Sequence, residues 1–244
     1  MAALPALLRE TLLSAADAVW PRRCLHCDRP TDSSVCLCES CTEALTTDRH
    51  SCCPRCSTTI GPHADASGGC LRCHAQKFHF ASAQRLGVYD GELRDVILQM
   101  KQRAGETLAE VVGWVWASAR RETLMKSQPQ EVVPIPLHWR KRFARGFNQA
   151  ESIARGVAKG LGIPLRKGVI RRVKSTLEQS GISPTERREN LKDAFRPANG
   201  RRLNGLRILL IDDVLTTGAT ADAASVAILA GGAAQVDVAV LAHR

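Results

Sequence analysis

The stretch Arg207-Ile208-Leu209-Leu210-Ile211-Asp212-Asp213-Val214-Leu215-Thr216-Thr217-Gly218-Ala219-Thr220 decides how the rest of the chain is interpreted. Its first half is a short apolar run, which is typical of a strand buried on both faces. Two adjacent acids end this run, where a core strand has no structural use for charge. Threonines and a glycine follow, and then a helical pattern over 221–230 with Gly231-Gly232 as its stop. The order of strand, acid pair, turn and helix start predicts an anion site.

The turn after the acids carries the groups that bind a phosphate. Backbone N–H groups at a helix N-terminus favour an anion, and Gly218 lets the backbone approach it closely. Further hydroxyl donors come from Thr216, Thr217 and Thr220. Asp212 and Asp213 would repel a phosphate beside them, so we expect them to face vicinal hydroxyls or a Mg²⁺ ion with its waters. A ligand with a phosphate at one end and a diol with a metal at the other is a ribose 5-phosphate.

Residues 212–220 resemble the phosphoribosyl pyrophosphate (PRPP) signature of type I phosphoribosyltransferases at every position. The resemblance implies that Asp212 and Asp213 bind the ribose hydroxyls together with Mg²⁺. It also implies that the 5′-phosphate is bound by Thr216, Thr217, Gly218, Ala219 and Thr220. Two other interpretations stay open. One is a receiver domain, which would need far more chain than follows Thr220, and the other is a strand followed by a solvated turn.

Length and composition suit a medium-sized domain with a smaller one attached. The chain has 244 residues, and its apolar runs are too short for a transmembrane helix. Leucines and alanines recur at helical spacing over 1–22, but Arg9, Glu10 and Asp17 interrupt them. A signal peptide needs an unbroken apolar core, so we interpret this segment as a docking helix. We therefore expect a cytoplasmic protein.

Positive charge is concentrated in the second half of the chain. The net charge is +10, and residues 131–207 contain 18 Lys or Arg against 6 Asp or Glu. Because this excess immediately precedes the phosphate turn, the predicted partners are polyanions such as pyrophosphate, nucleotides or nucleic acid. The alternative is that the charge serves solubility alone.

All ten cysteines lie within residues 24–73, and eight of them form Cys-x-x-Cys pairs: Cys24/Cys27, Cys38/Cys41, Cys53/Cys56 and Cys70/Cys73. Each pair suits a zinc knuckle, and two knuckles make a Cys₄ site. We therefore predict a double zinc ribbon over 23–77 that holds two Zn²⁺ ions. Sequential pairing is the simplest arrangement, and a cross-brace stays open. Cys36 and Cys52 are predicted to be free. The ribbons are either a nucleic-acid or partner module or a metal-stapled cap.

Residues 78–244 are predicted to form the main domain, with alternating strands and helices that favour a parallel sheet flanked by helices. A strand at 85–89, a helix at 93–100 and a second helix at 108–124 form a candidate hood over the site. The next predicted strand, 132–136, leads into a loop in which cations alternate with Trp139, Phe143 and Phe147. This composition is typical of phosphate and base binding. The predicted pyrophosphate or DNA residues are His138, Arg140, Lys141, Arg142, Arg145, Asn148 and Gln149.

A third strand is predicted at 169–174, followed by a charged stretch with little apolar content at 175–193. This stretch fits a mobile lid that would shield a reactive ribosyl centre from water, or else a plain surface loop. The predicted lid residues are Gln179, Arg187, Arg188 and Asn190. No general base is evident among the candidate loops, where His138 is the only histidine, so we assign no catalytic residue.

Several motifs together resemble the ComF family over nearly the whole chain. They are the four cysteine pairs, a Pro-Leu-His strand end, and the segments 145–149, 179–181, 187–190 and 212–220. The resemblance implies a phosphoribosyltransferase-type α/β domain behind a zinc-ribbon domain, in a bacterial competence protein that acts in uptake of single-stranded DNA. It further implies Mg²⁺ and PRPP as ligands, with single-stranded DNA and a competence helicase as partners. Two hypotheses follow: a DNA-binding protein with PRPP as ligand or regulator, and an active phosphoribosyltransferase with an unidentified nitrogen acceptor.

Overall fold

The computed structural model describes residues 21–137, 143, 146–174, 191, 193–198 and 203–244. The main sheet has four parallel strands: β1 (Ser82–Val88), β2 (Glu131–Pro134), β5 (Arg207–Leu215) and β6 (Gln235–His243), in the order β1-β6-β5-β2. A separate antiparallel pair consists of β3 (Ile170–Arg172) and β4 (Phe195–Pro197). The helices of the described residues are α1 (Glu39–Thr46), α2 (Leu71–Ala75), α3 (Gly91–Met100), α4 (Glu106–Ala119), α5 (Arg121–Met125), α6 (Gln149–Leu161) and α7 (Ala219–Ala230).

The central strand β5 is buried on both faces, as its continuous apolar run predicts. Ile208 and Leu210 face one hydrophobic core, Leu209 and Ile211 face the other, and all four are fully buried. Alternate side chains of a strand point to opposite faces, so a strand without polar residues must be covered on both sides. The predicted α/β class with a parallel sheet flanked by helices is confirmed.

The two faces of the sheet are covered by different elements. Helices α3, α4 and α6 lie over one face together with the segment of the first two cysteine pairs. Helix α7, the β3–β4 pair and the segment of the last two cysteine pairs lie over the other. The two cysteine-rich units therefore pack on opposite sides of one sheet.

Helices α4 and α6 cross at glycines that permit backbone contact. A Cβ on Gly156 would lie 1.9 Å from the carbonyl oxygen of Glu110, and a Cβ on Gly113 would lie 2.3 Å from that of Ile153. Both separations are far below van der Waals contact. The crossing thus needs glycine, and it fixes α6, whose first turn contributes to the site described below.

Some predictions differ from the structure. Residues 78–124 do not form a separate hood, because β1 pairs in parallel with β6 as an edge strand of the main sheet. The helix predicted at 108–124 is two helices, because the backbone leaves the helical region at Arg120. The strand predicted at 169–174 is confined to β3 and lies outside the parallel sheet. The docking helix predicted for 1–22 lies almost wholly outside the described residues.

Candidate functional site

A cavity of about 230 Å³ opens at the carboxyl ends of β2 and β5. Ligands of open parallel sheets bind at this edge, where loops after neighbouring strands converge. The cavity brings together the end of β2, the start of α6, the end of β3, the acid pair and the start of α7. Its lining residues are Lys101, Ile135, Pro136, Leu137, Asn148, Gln149, Ala150, Arg172, Asp212, Asp213, Val214 and Thr220.

The acid pair lies inside β5 rather than beyond its end. Strand β6 continues as far as His243, so Val214 and Leu215 still find strand partners after the acids. The Asp213 N–H donates to Asp212 Oδ1 at 3.0 Å, and the Val214 N–H donates to Asp213 Oδ1 at 2.8 Å. These local hydrogen bonds hold both carboxyl groups at the cavity.

Two basic residues from other elements face the acids. Lys101, just after α3, has its Nζ 3.5 Å from Asp213 Oδ2, and Arg172 of β3 lines the cavity and acts electrostatically on Asp212. The pKa of the Asp212 carboxyl is raised to about 8, first by burial and second by the neighbouring Asp213 carboxylate, while the Arg172 guanidinium opposes the shift. At neutral pH the pair therefore holds a proton, which a bound divalent cation would displace.

The backbone turns at a glycine after the acids, and the helix begins two residues earlier than the pattern over 221–230 predicts. Gly218 has φ +77° and directly precedes α7, and Thr217 Oγ1 accepts a hydrogen bond of 3.4 Å from the Ala219 N–H. The first N–H groups of a helix have no carbonyl partner within the helix. Of the turn residues, Thr220 lines the cavity. The four residues that connect the end of β5 to Thr220 are Thr216, Thr217, Gly218 and Ala219.

The described residues beside the predicted pyrophosphate loop lie at the cavity. Asn148 and Gln149 are buried, and Asn148 Nδ2 donates to the carbonyl oxygen of Ile135 at 3.0 Å. Phe143 is 91% exposed, but Phe147 is buried, so the proposal that Phe147 stacks on a base is wrong. Outside the described residues lie the predicted loop and lid residues His138, Arg140, Lys141, Arg142, Arg145, Gln179, Arg187, Arg188 and Asn190.

Eight cysteines form two four-thiol clusters, Cys24/Cys27/Cys38/Cys41 and Cys53/Cys56/Cys70/Cys73, with the sulfur atoms of each cluster within 4.8 Å of one another. Individual Sγ–Sγ separations are 3.7 Å in the first cluster and 3.6, 3.8 and 3.9 Å in the second. A tetrahedron with Zn–S bonds of about 2.3 Å has edges of about 3.8 Å, so both clusters fit a zinc ion. The pairing is sequential and not a cross-brace.

One contact in the first cluster favours the thiolate form of a cysteine. The Arg29 side chain donates to Cys27 Sγ at 3.3 Å, and this hydrogen bond lowers the pKa of the Cys27 thiol. A thiolate is the form of cysteine that binds a metal. Cys36 and Cys52 lie outside both clusters, as predicted.

Each ribbon is attached to the α/β core by polar side chains. In the first, His26 bonds to Gln99 Oε1 at 3.0 Å and to Glu92 Oε2 at 2.6 Å, both on α3. Between the ribbons, the buried Arg85 of β1 donates to Asp48 Oδ2 at 2.9 Å and also to Ser57 and Thr59. These contacts agree with the interpretation of the ribbons as a metal-stapled cap on the main domain.

Comparisons with known proteins agree with the cysteine geometry and cover most of the chain. Residues 15–75 match the family described as Double zinc ribbon domain. Competence protein F of Haemophilus influenzae is 30% identical over 81% of this chain and 86% of its own length. DNA utilization protein YhgH of Salmonella typhimurium is 32% identical over 83% and 88%, and Competence protein ComFC of Bacillus subtilis is 29% identical over 89% and 86%. In the part of the chain that the structure describes, no helix is long and apolar enough to cross a membrane.

Proposed function

The chain belongs to the ComF/YhgH family, and from this premise we propose that it binds Mg²⁺-PRPP and single-stranded DNA in the uptake of DNA. The observation that carries the ligand proposal is the cavity in which the acid pair, a basic residue on either side of it and the start of α7 meet. Each part of Mg²⁺-PRPP has a chemical counterpart there. The relatives' names, competence protein and DNA utilization protein, support the DNA part.

In this proposal Asp212 and Asp213 hold Mg²⁺ and the ribose hydroxyls. The paired carboxyl groups fit a divalent cation because they line the same cavity and a cation would neutralise the repulsion between their charges. The turn 216–220 receives the 5′-phosphate on backbone N–H and threonine hydroxyl groups. The pyrophosphate is placed toward the basic loop that follows β2, whose described flanks, Leu137 and Asn148, line the cavity.

The DNA proposal rests on charge and on the loop composition. Residues 131–207 carry more positive charge than the whole chain has in net, since the remainder is slightly negative, and Phe143 is almost fully exposed within the basic loop. Cations alone give salt-sensitive binding to any polyanion, whereas an exposed aromatic ring can stack only on an unpaired base. We therefore expect a preference for single strands over duplex with little dependence on base sequence.

A fluorescence-anisotropy salt series with labelled single-stranded and duplex DNA tests this proposal. Replacement of Arg140, Lys141 and Arg142 by alanine should lower the slope of log affinity against log salt by about 0.7 for each phosphate that the variant no longer neutralises. The opposite result is that this triple variant loses Mg²⁺-PRPP but keeps its DNA affinity. In that case the loop grips pyrophosphate only, and the assignment of DNA to it is wrong.

A second candidate function is phosphoribosyl transfer itself, and the complete acid-pair signature at a cavity favours it. In that reaction an attacking nitrogen of the acceptor displaces pyrophosphate from C1 of Mg²⁺-PRPP through an oxocarbenium-like state. A pyrophosphate-release screen over nucleobases and amines, with Asp212→Asn as the matched control, separates the two functions. Release that depends on one added acceptor and on Asp212 would establish the enzyme. If the wild type releases pyrophosphate no faster than Asp212→Asn with any acceptor, binding is left as the function.

A further inference from the structure

The second zinc ribbon is the unit that contains the cluster Cys53/Cys56/Cys70/Cys73. It contacts the backbone of the turn 216–220, called the phosphate turn below. Arg72 Nη2 donates to the carbonyl oxygen of Thr216 at 2.8 Å, and Gln76 Nε2 donates to that of Thr217 at 3.3 Å. Arg72 lies in α2, and Gln76 is the residue that ends this helix. Because Cys70 and Cys73 of the second cluster flank Arg72 in the chain, the position of its side chain depends on that metal site.

Arg72 is held by partners from three other parts of the chain. Its Nη1 lies 3.1 Å from Thr58 Oγ1 and 3.2 Å from His243 Nε2, and its guanidinium lies 5.9 Å from the centre of the Phe78 ring. The pKa of His243 is lowered to about 4, first by burial and then by the charges of Arg72 and Arg85. The imidazole is therefore neutral and accepts from Arg72. A guanidinium fixed in this way is preorganised for its contact with the turn.

The segment that directly follows the second ribbon also fixes Gly218 and the first turn of α7. A Cβ on Gly218 would lie 2.9 Å from Phe78 Cε1, so the ring closes one side of the turn. The backbone N–H of His79 donates to Asp222 Oδ1 at 2.6 Å, and the His79 ring lies 3.1 Å from the same oxygen. The Asp222 carboxylate is thereby bound by His79. Without this contact, its negative charge in the first turn of α7 would repel an anion bound there.

The carbonyl contacts determine where the amide groups point. In a planar trans peptide the C=O and the following N–H point in opposite directions. With the Thr216 and Thr217 carbonyl groups turned toward the ribbon, the N–H groups of Thr217 and Gly218 point away from it. These are the N–H groups that a phosphate at this turn would use.

We propose that Arg72 and Gln76 are positioning residues that orient the peptide groups of the phosphate turn, and that the second zinc site thereby sets the anion affinity of the cavity. The first zinc site lacks this role, because its ribbon packs on the other face of the sheet. A five-residue helix is not stable alone, so α2 depends on the metal for its structure. The identity of the anion as Mg²⁺-PRPP rests on the function proposed above.

The test compares Arg72→Ala with Arg29→Ala in the full chain loaded with zinc. Arg29 is the matched control because it donates to Cys27 and Ser40 within the first ribbon. We expect Arg72→Ala to weaken the binding of Mg²⁺-PRPP by roughly tenfold or more in titration calorimetry, since a hydrogen bond from a charged group contributes a free energy of this size. Arg29→Ala should bind like the wild type, and Arg72→Lys should restore part of the affinity.

Backbone NMR without ligand makes the test independent of the proposed function. In Arg72→Ala the carbonyl resonance of Thr216 and the amide resonance of Thr217 should shift well beyond their positions in Arg29→Ala, with two zinc ions still bound. If the Thr216 carbonyl and Thr217 amide resonances have the same positions in Arg72→Ala and Arg29→Ala, the inference is overturned. If the wild type binds no Mg²⁺-PRPP while the turn resonances shift as expected, the proposed ligand is wrong and the positioning role stands. If Arg72→Ala does not fold, Gln76→Ala, which removes the hydrogen bond to Thr217, should shift the Gly218 amide, and an unshifted amide would overturn the inference.

The zinc part of the inference is tested by removing one ligand of each cluster. Cys73→Ser should lower the zinc content by about one equivalent, shift the 216–218 resonances and weaken Mg²⁺-PRPP. Cys38→Ser should release a similar amount of zinc while the turn resonances and the affinity stay close to those of the wild type. Equal effects of both variants on the turn would show that neither zinc site has a special link to the phosphate turn.

Discussion

Raising the pH from 7 to 9 should strengthen the binding of Mg²⁺-PRPP by about tenfold, because the proton at the Asp212–Asp213 pair must leave before the cation binds. With a pKa of about 8, Asp212 is deprotonated in roughly a tenth of the molecules at pH 7 and in about nine tenths at pH 9. Phosphate monoesters lose their second proton near pH 6, so the ligand contributes little in this window. The tenfold change in affinity thus comes from the burial of the Asp212 carboxyl group beside that of Asp213.

Titration calorimetry at several pH values in two buffers of different ionisation enthalpy measures both the affinity and the proton release. We expect about 0.9 proton released per ligand at pH 7 and about 0.1 at pH 9. Asp212→Asn, the control, should bind weakly at every pH and release no proton. A wild type whose affinity is flat between pH 7 and 9, with no proton released, would refute the reasoning.

The same shift has a consequence for the ligand-free protein. The folded-state pKa of Asp212 is raised, so between about pH 4 and 8 the native state keeps a proton that the unfolded chain has lost. Stability must therefore fall as pH rises across this window, and Asp212→Asn should raise the melting temperature at pH 8. A lower melting temperature for this variant would contradict the assigned environment.

Three further predictions concern the core, the metal sites and the DNA surface. Gly156→Ala should lower the free energy of unfolding by about 2 kcal/mol in denaturant titrations, because backbone overlap costs about 3 kcal/mol and better helix propensity offsets about 1 kcal/mol. The control is Gly61→Ala, where a Cβ meets nothing within 4 Å, and it should change stability by less than about 0.5 kcal/mol. Cys38→Ser should remove about one zinc by elemental analysis, whereas Cys36→Ser should remove none. Trp139→Ala should weaken the binding of single-stranded DNA by about 1–3 kcal/mol in anisotropy titrations, with little change in the slope of log affinity against log salt.

Each of these predictions has an outcome that contradicts it. Equal stabilities for the Gly156 and Gly61 variants would mean that α4 and α6 do not touch at the glycines. One zinc ion or none in the wild type would rule out two Cys₄ sites. A Trp139 variant that changes the salt slope, or that weakens duplex and single strands alike, would exclude base stacking at that residue.

The features that the sequence predicted well are local in the chain. Asp212, Asp213 and the turn that follows are consecutive residues, so a strand, a turn and a helix start are enough to bring them together. The cysteine pairs are likewise defined by spacing of two or three residues within short loops. Sequential pairing of Cys24/Cys27 with Cys38/Cys41 follows from the shortness of the connecting segment.

The features that the sequence did not predict depend on tertiary topology. Lys101 and Arg172 reach the acids from elements far away in the chain, and nothing in their local patterns distinguishes them from other surface cations. The hydrogen bond of Arg72 to Thr216 joins residues 144 positions apart. The edge position of β1 was missed because a strand pattern carries no information about its neighbour. Phe147 was assigned to a stacking surface because composition does not show which way a side chain points.

The measurement that tests the central claim most directly is titration calorimetry of PRPP into the zinc-loaded full chain, with and without Mg²⁺. We expect one bound ligand per chain, dependence on Mg²⁺, and affinity at least roughly tenfold weaker for Asp213→Asn, because the cation and the diol lose a charged partner. Absence of binding at millimolar PRPP, or binding that Asp213→Asn leaves unchanged, would contradict this claim.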